Sequence, residues 1–153
     1  MQPDARQHAH PAGPVSFRGR SPTLLNAPRL LAMLKAERVE AVVATSAENV
    51  TYTSGYWALS QWIRRGPQIY VLLPAADLSA SVIIASTTLL DQIADQGDVW
   101  IEDVRRYGFF HVDRANGSLG ALDSRQADLY GLPEDGDAVA ALVAAIEAAH
   151  RGR

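Results

Sequence analysis

"RLLAMLKAERVEAVVATSAENVTYTSGYW", residues 29–57, passes from a helical repeat into a short apolar run and then into a segment mixing an acid, an amide, threonines and aromatics. Leu30, Leu31 and Leu34 recur at helical spacing, with Asn26 placed to cap the first turn and Pro28 inside it, where a missing N–H is harmless. An amphipathic helix with one buried stripe is expected over residues 26–38. "VEAVVATS", residues 39–46, follows at once and is almost wholly apolar or small, as in a strand covered on both faces. Helix followed by buried strand is the start of an α/β layer.

Working outward, "QIYVLLP" (68–74) and "SASVIIAS" (79–86) are apolar and rich in β-branched residues. The connection between them is too short for a crossover helix, so they form a hairpin and the sheet is mixed. "STTLLDQIADQG" (86–97) predicts a second helix: Asp91 lies three residues after Thr88, Leu89, Leu90 and Ile93 share a side, and Gly97 marks the stop. "DVWIEDV" (98–104) returns to an extended pattern, and "RRYGFFHVD" (105–113) continues or edges the sheet. Residues 114–136 form a long polar segment, expected to be a loop holding one short helical turn. In the last helix, residues 137–153, Val139, Leu142, Val143 and Ile146 share a face, with Asp137 near its start and basic residues at its end. Residues 1–22 are rich in Pro, Gly, Arg and His without apolar period, which predicts a mobile arm ahead of one domain over 23–153.

Composition narrows the function classes. With 48% hydrophobic and 20% charged residues the chain is globular in character, and no apolar run is long enough to span a bilayer, so no membrane partner is expected. A net charge of −3 gives no general reason to bind nucleic acid. There is no cysteine, which excludes disulfides and thiolate metal sites, and the N-terminus lacks the apolar core of a secretory signal. The cytoplasm is the expected compartment.

A search for catalytic constellations returns little. His8 with His10 and His111 with Asp113 are the local metal-ligand pairs, and two ligands do not make a site. His111 and Asp113 are expected to be polar residues facing outward on an edge strand. Glu102 and Asp103 are adjacent in an extended run and point to opposite faces, which prevents them from acting as an acid/base pair. Neither a GxSxG elbow nor a phosphate-cradling glycine loop occurs. What remains is "GYWALSQWIRRGPQ" (55–68), which places Tyr56, Trp57, Trp62, Arg64 and Arg65 in a loop between two elements. Aromatic faces and guanidinium forks recur in binding hot spots and carboxylate recognition. The competing reading has both tryptophans anchoring the loop on the core and the arginines merely solvated.

The order of these features resembles the N-terminal domain of the creatinase, prolidase and Xaa-Pro aminopeptidase family, the pita-bread metallohydrolases. The resemblance is carried by the helix with its RL..L pattern, the strand ending in a small polar pair, and the signature formed by Glu48, Asn49, Val50, Tyr52, Ser54, Gly55 and Tyr56. It covers roughly residues 27–112, and the last helix is similar to the lead-in to the family's second domain. The resemblance implies an α/β fold with a mixed sheet flanked by helices, akin to a ribonuclease H-like core. It also implies that this chain is not itself an enzyme. The pita-bread catalytic domain, expected to be absent from these residues, supplies two Asp, one His and two Glu for a metal pair, or no metal where the relative is creatinase-like. No cofactor is expected in this chain. Its expected partners are that domain, a second copy in a homodimer, and the parent's small-molecule or peptide substrate. Tyr56, Trp57, Trp62, Arg64 and Arg65 would then cover the partner's active site. Glu48, Asn49, Tyr52 and Gly55 would be structural, Asn49 capping a short turn that carries Val50 and Tyr52 onto the core. The alternative is a free-standing module that binds a small ligand or a protein.

Overall fold

The computed structural model describes residues 22–64, 68–113 and 117–151. Helix α1 (Ala27–Glu37) starts where Asn26 Oδ1 accepts from the Arg29 N–H at 3.1 Å. It ends at Arg38, which takes the left-handed conformation with φ 55° and lets the Val39 N–H reach Leu34 O at 2.9 Å. Strand β1 (Ala41–Ala44) leads into α2 (Ala47–Ser54) and α3 (Leu59–Arg64). The hairpin follows as expected, β2 (Tyr70–Pro74) and β3 (Val82–Ser86) pairing antiparallel around a 3₁₀ turn at Leu78–Ala80. The second helix is divided into a 3₁₀ turn, Thr87–Leu89, and α4 (Leu90–Asp95). Strand β4 (Asp103–Tyr107), α5 (Ala121–Tyr130), β5 (Glu134–Asp135) and α6 (Ala138–Arg151) complete the described chain.

The five strands lie in the order β1-β2-β3-β4-β5, antiparallel over the first three and parallel over the last three. This is an α/β fold with a mixed sheet flanked by helices. The two-residue alternation of each strand divides its side chains between two cores. One face carries Ala44, Val71, Leu73, Ile83, Ala85 and Val104, and packs with Val50, Tyr56, Leu90, Ile93 and Trp100. The other carries Leu72, Val82 and Ile84, and packs with Ala141 and Ala145 of α6.

Several expectations are corrected. Strand β1 is an edge strand, paired only with β2, and its coverage is partial: Val42 and Ala44 pack on one core and Ala41 and Val43 on the other, with three of the four half-buried. The segment 114–136 was expected to be a loop with one turn; its described part, 117–136, holds the ten-residue α5 and the short β5. α5 has no fully buried residue, so its apolar period is faint, and Leu129 and Tyr130 at its end are what reach the core. In α6 the sheet-facing residues are Ala141 and Ala145, while Val139, Val143 and Ile146 are exposed and Leu142 is half-buried. Leu72, Val82 and Ile84 already fill the space over the sheet, so the helix approaches closely with methyl side chains. His111 and Asp113 lie beyond β4 rather than on an edge strand.

Candidate binding surface

Residues 46–57 fold into a joint rather than a catalytic cluster. Ser46 caps α2, its Oγ accepting from the Asn49 N–H at 3.2 Å; Asn49 is not the cap, as the sequence suggested. Glu48 sits in the first turn, where a carboxylate favours the helix dipole. Val50 is buried in the larger core. Tyr52 does not join it: the ring is exposed, and its hydroxyl accepts from the Asn26 N–H at 3.2 Å, tying α2 to the start of α1. Thr53 Oγ1 and Ser54 Oγ donate back to Asn49 O and Val50 O, each at 2.7 Å, and occupy carbonyls near the end of the helix.

Gly55 has two reasons to be glycine. Its φ is +76°, and a Cβ there would come within 2.1 Å of Asp98 O. The close approach lets Trp100 fasten to the end of α2, its indole Nε1 donating to Thr53 O at 2.7 Å and its N–H to Ser54 O at 3.3 Å. Tyr56 follows and is 0% exposed, so it is part of the core and not, as the sequence suggested, part of an exposed cover; its large ring packs on the sheet face. Its hydroxyl donates to Gln92 Oε1 at 3.3 Å. Burial first, and then the charge of Asp91, push the Tyr56 phenol above its ordinary range.

Beyond Tyr56 the chain is fixed by polar bonds and turns its apolar side chains outward. Gln96 on the turn after α4 clamps Trp57 from both sides of its peptide: the Trp57 N–H donates to Gln96 Oε1 at 2.7 Å, and Gln96 Nε2 donates to Trp57 O at 3.2 Å. Ala58 is buried, and Gln61, also buried, donates from Nε2 to Thr45 O at the end of β1. With its underside held this way, the segment exposes Trp57 at 55%, Trp62 at 41% and Ile63 at 72%. The reading in which both tryptophans anchor the loop on the core therefore fails; amides and Ala58 anchor it. The loop also contains helix α3, which the sequence reading did not expect. Arg64 closes α3, and Arg65 lies outside the described residues, as do His8 and His10.

Gln92 on α4 and Gln96 at its C-cap were missed from sequence, because Gln96 leaves the helix and its spacing from Gln92 gives no helical signal. Arg106 was missed as well. Its Nε donates to Leu132 O at 2.6 Å, Nη1 lies 3.4 Å from Thr87 Oγ1, and Glu134 is an ion-pair partner at 3.6 Å, so it fastens β4 to β5. His111 Nε2 and Asp113 Oδ1 do meet, at 3.1 Å, in an exposed pair. Among the described residues no three His, Cys, Asp or Glu side chains converge as metal ligands, and no helix is long and apolar enough to cross a membrane.

The fold and the surface together define an α/β protein that presents an aromatic patch on an anchored segment. Comparison with family models, with curated proteins and with solved structures finds no match to this chain.

Proposed function

We propose that this chain is a non-catalytic accessory domain of a dimeric hydrolase of the creatinase, prolidase and Xaa-Pro aminopeptidase kind, its sheet being that family's ribonuclease H-like N-terminal domain. The observation that carries the reading is the segment Trp57–Ile63: a backbone held by Gln96 and Gln61, with two indoles and an isoleucine facing solvent. Exposed tryptophans on a rigid support lose little entropy when a partner covers them. In the dimer, Trp57 and Trp62 cover the partner's active site and exclude water, and Arg64 or Arg65 neutralises a substrate carboxylate. The exposed flank of α6, Val139, Val143 and Ile146, supports the same reading, because a following catalytic domain would need an apolar face to dock on. Catalysis and its metal ions, or neither metal where the parent is creatinase-like, belong to that pita-bread domain, in the cytoplasm.

The reading frame beyond the codon for Arg153 tests the proposal. A continuation carrying two Asp, one His and two Glu ligands is the expected result, with Arg64→Ala plus Arg65→Ala raising KM of that enzyme. A stop codon, with a monomeric chain, would overturn it and leave the same surface to a free-standing binding module.

A further inference from the structure

The first strand leaves one edge of the sheet open. β1 pairs with β2 alone, and Glu40 O accepts from the Ala75 N–H at 2.8 Å, so by the antiparallel alternation the backbone groups of Val42 and Ala44 point towards β2. Those of Ala41 and Val43 point away from it. Among the described residues, none donates to or accepts from them. The open run is closed at both ends: the Val39 N–H is held by Leu34 O at 2.9 Å, and Thr45 O by Gln61 Nε2. Residues 41–44 carry neither a charge nor a proline, the devices that commonly keep a free edge from pairing. Ala41, Val42 and Val43 are half-buried, so each face of the sheet still has apolar surface to cover at this edge.

We propose that a second copy of this chain pairs with this edge, β1 antiparallel to β1, about a two-fold axis through Val42. A two-fold axis perpendicular to the sheet requires one residue of β1 to face its own copy, so that like faces of the two sheets continue into each other. Centring on Val43 would need Thr45 O, which Gln61 occupies. Centring on Val42 sets Ala41 opposite Val43 of the second copy, and the open N–H and C=O groups of both chains satisfy one another. Charge complementarity selects a copy of this chain over an unrelated strand. In this register Arg38 lies across from Ser46 of the second copy, the cap of α2, with Glu48 in the helix turn that follows. α1 and α2 pack on the same core, so these groups meet on one side of the sheet. There the C-terminal end of α1, with Lys35 and Arg38, faces an acidic helix N-terminus, and both charges and dipoles are complementary. The two-fold axis repeats the match at the other end of the pair. Glu40 lies across from Ala44 and not from another carboxylate. The inference rests on the edge of the sheet and not on the hydrolase reading.

The chain has no cysteine, so a single introduced one reports on this register. Val42 and its symmetry mate form a non-hydrogen-bonded pair with Cα atoms about 4.5 Å apart, within disulfide reach. Val43 and its mate are diagonal neighbours roughly 7–8 Å apart, beyond that reach. Mild oxidation of Val42→Cys is expected to give a covalent dimer, and Val43→Cys to stay largely uncrosslinked. Sedimentation of the full cysteine-free chain is expected to show a concentration-dependent dimer. Ala41→Pro removes an outward N–H without touching the β1–β2 ladder, and is expected to raise the dimer Kd roughly tenfold or more, since the symmetry doubles the loss. Arg38→Glu is expected to raise it as well, and Arg38→Glu with Glu48→Arg to restore it, a rescue that a local role of either residue would not give. A native chain that stays monomeric up to about 1 mM would overturn the proposal. So would a dimer that crosslinks through Val43→Cys in preference to Val42→Cys, or one whose Kd is unmoved by Ala41→Pro, since another surface would then join the copies.

Discussion

Gly55 shows how tightly one residue can be specified. The left-handed φ of +76° alone disfavours any other side chain, and the carbonyl of Asp98 leaves no room for a Cβ. Gly55→Ala is expected to lower stability by about 2–4 kcal/mol, combining backbone strain with displacement of the Asp98–Trp100 strap. Urea denaturation checks this, and a loss below about 1 kcal/mol would mean that the strap yields easily. Tyr56 offers a different test. Its phenol is pushed up by burial, as are those of Tyr107 and Tyr130, so the folded state holds these protons more firmly than the unfolded chain does. The unfolded state therefore binds fewer protons once the pH passes about 10, and stability present below that pH is lost above it. Tyr56→Phe is expected to make the fall of the unfolding midpoint with pH above about 10 less steep, while leaving its slope near neutrality unchanged. The opening motif is accordingly legible as structure: Ser46, Thr53, Ser54 and Gly55 each have a bond or a conformation to supply. The sequence misled at Asn49 and Tyr56, because a capping residue is chosen by where the strand ends, and an aromatic's burial depends on which way Gly55 turns the chain.

At the scale of elements, α6 is the most informative. Its valines and isoleucine carry the hydrophobic periodicity, yet the alanines meet the sheet. Ala141→Leu or Ala145→Leu is expected to cost about 1–3 kcal/mol by forcing the helix off Leu72 and Ile84. Val143→Ser, on the exposed flank, is expected to cost under about 1 kcal/mol. The reverse order of effects in thermal or urea unfolding would restore the periodicity-based face. Apolar pattern reveals that a helix has an apolar side, but not whether large or small residues will be pressed against the sheet; that depends on what the strands have already filled. The same reasoning explains α5. With no buried residue in its body, it is held by Gly120 N–H donating to Asp123 at 3.3 Å and by Leu129 and Tyr130 at its end, and neither contact leaves a strong period in sequence. The hairpin β2–β3 was fully legible, because β-branched runs joined by a few residues leave one arrangement open.

For the molecule as a whole, the sheet was readable as mixed and helix-flanked, and its strand order was not, since pairing across β3, β4 and β5 depends on long connections. The aromatic surface was half readable. Trp57 and Trp62 stood out by type, but the amides that hold the segment are unremarkable in sequence and acquire meaning only when Gln96 reaches the Trp57 peptide, Gln92 the Tyr56 hydroxyl and Gln61 the end of β1. The account's central claim is that this segment is a prebuilt docking surface, rigid in its backbone and exposed in its side chains. Gln96→Ala removes both bonds to the Trp57 peptide and is expected to loosen the segment while leaving the sheet intact. Native-state hydrogen exchange at the Trp57 amide tests the claim most directly. The account predicts strong protection in the native chain, falling by at least about tenfold in Gln96→Ala, equivalent to a loss of about 1.4 kcal/mol, while amides of β2 and β3 keep theirs. An unprotected Trp57 amide in the native chain would contradict it.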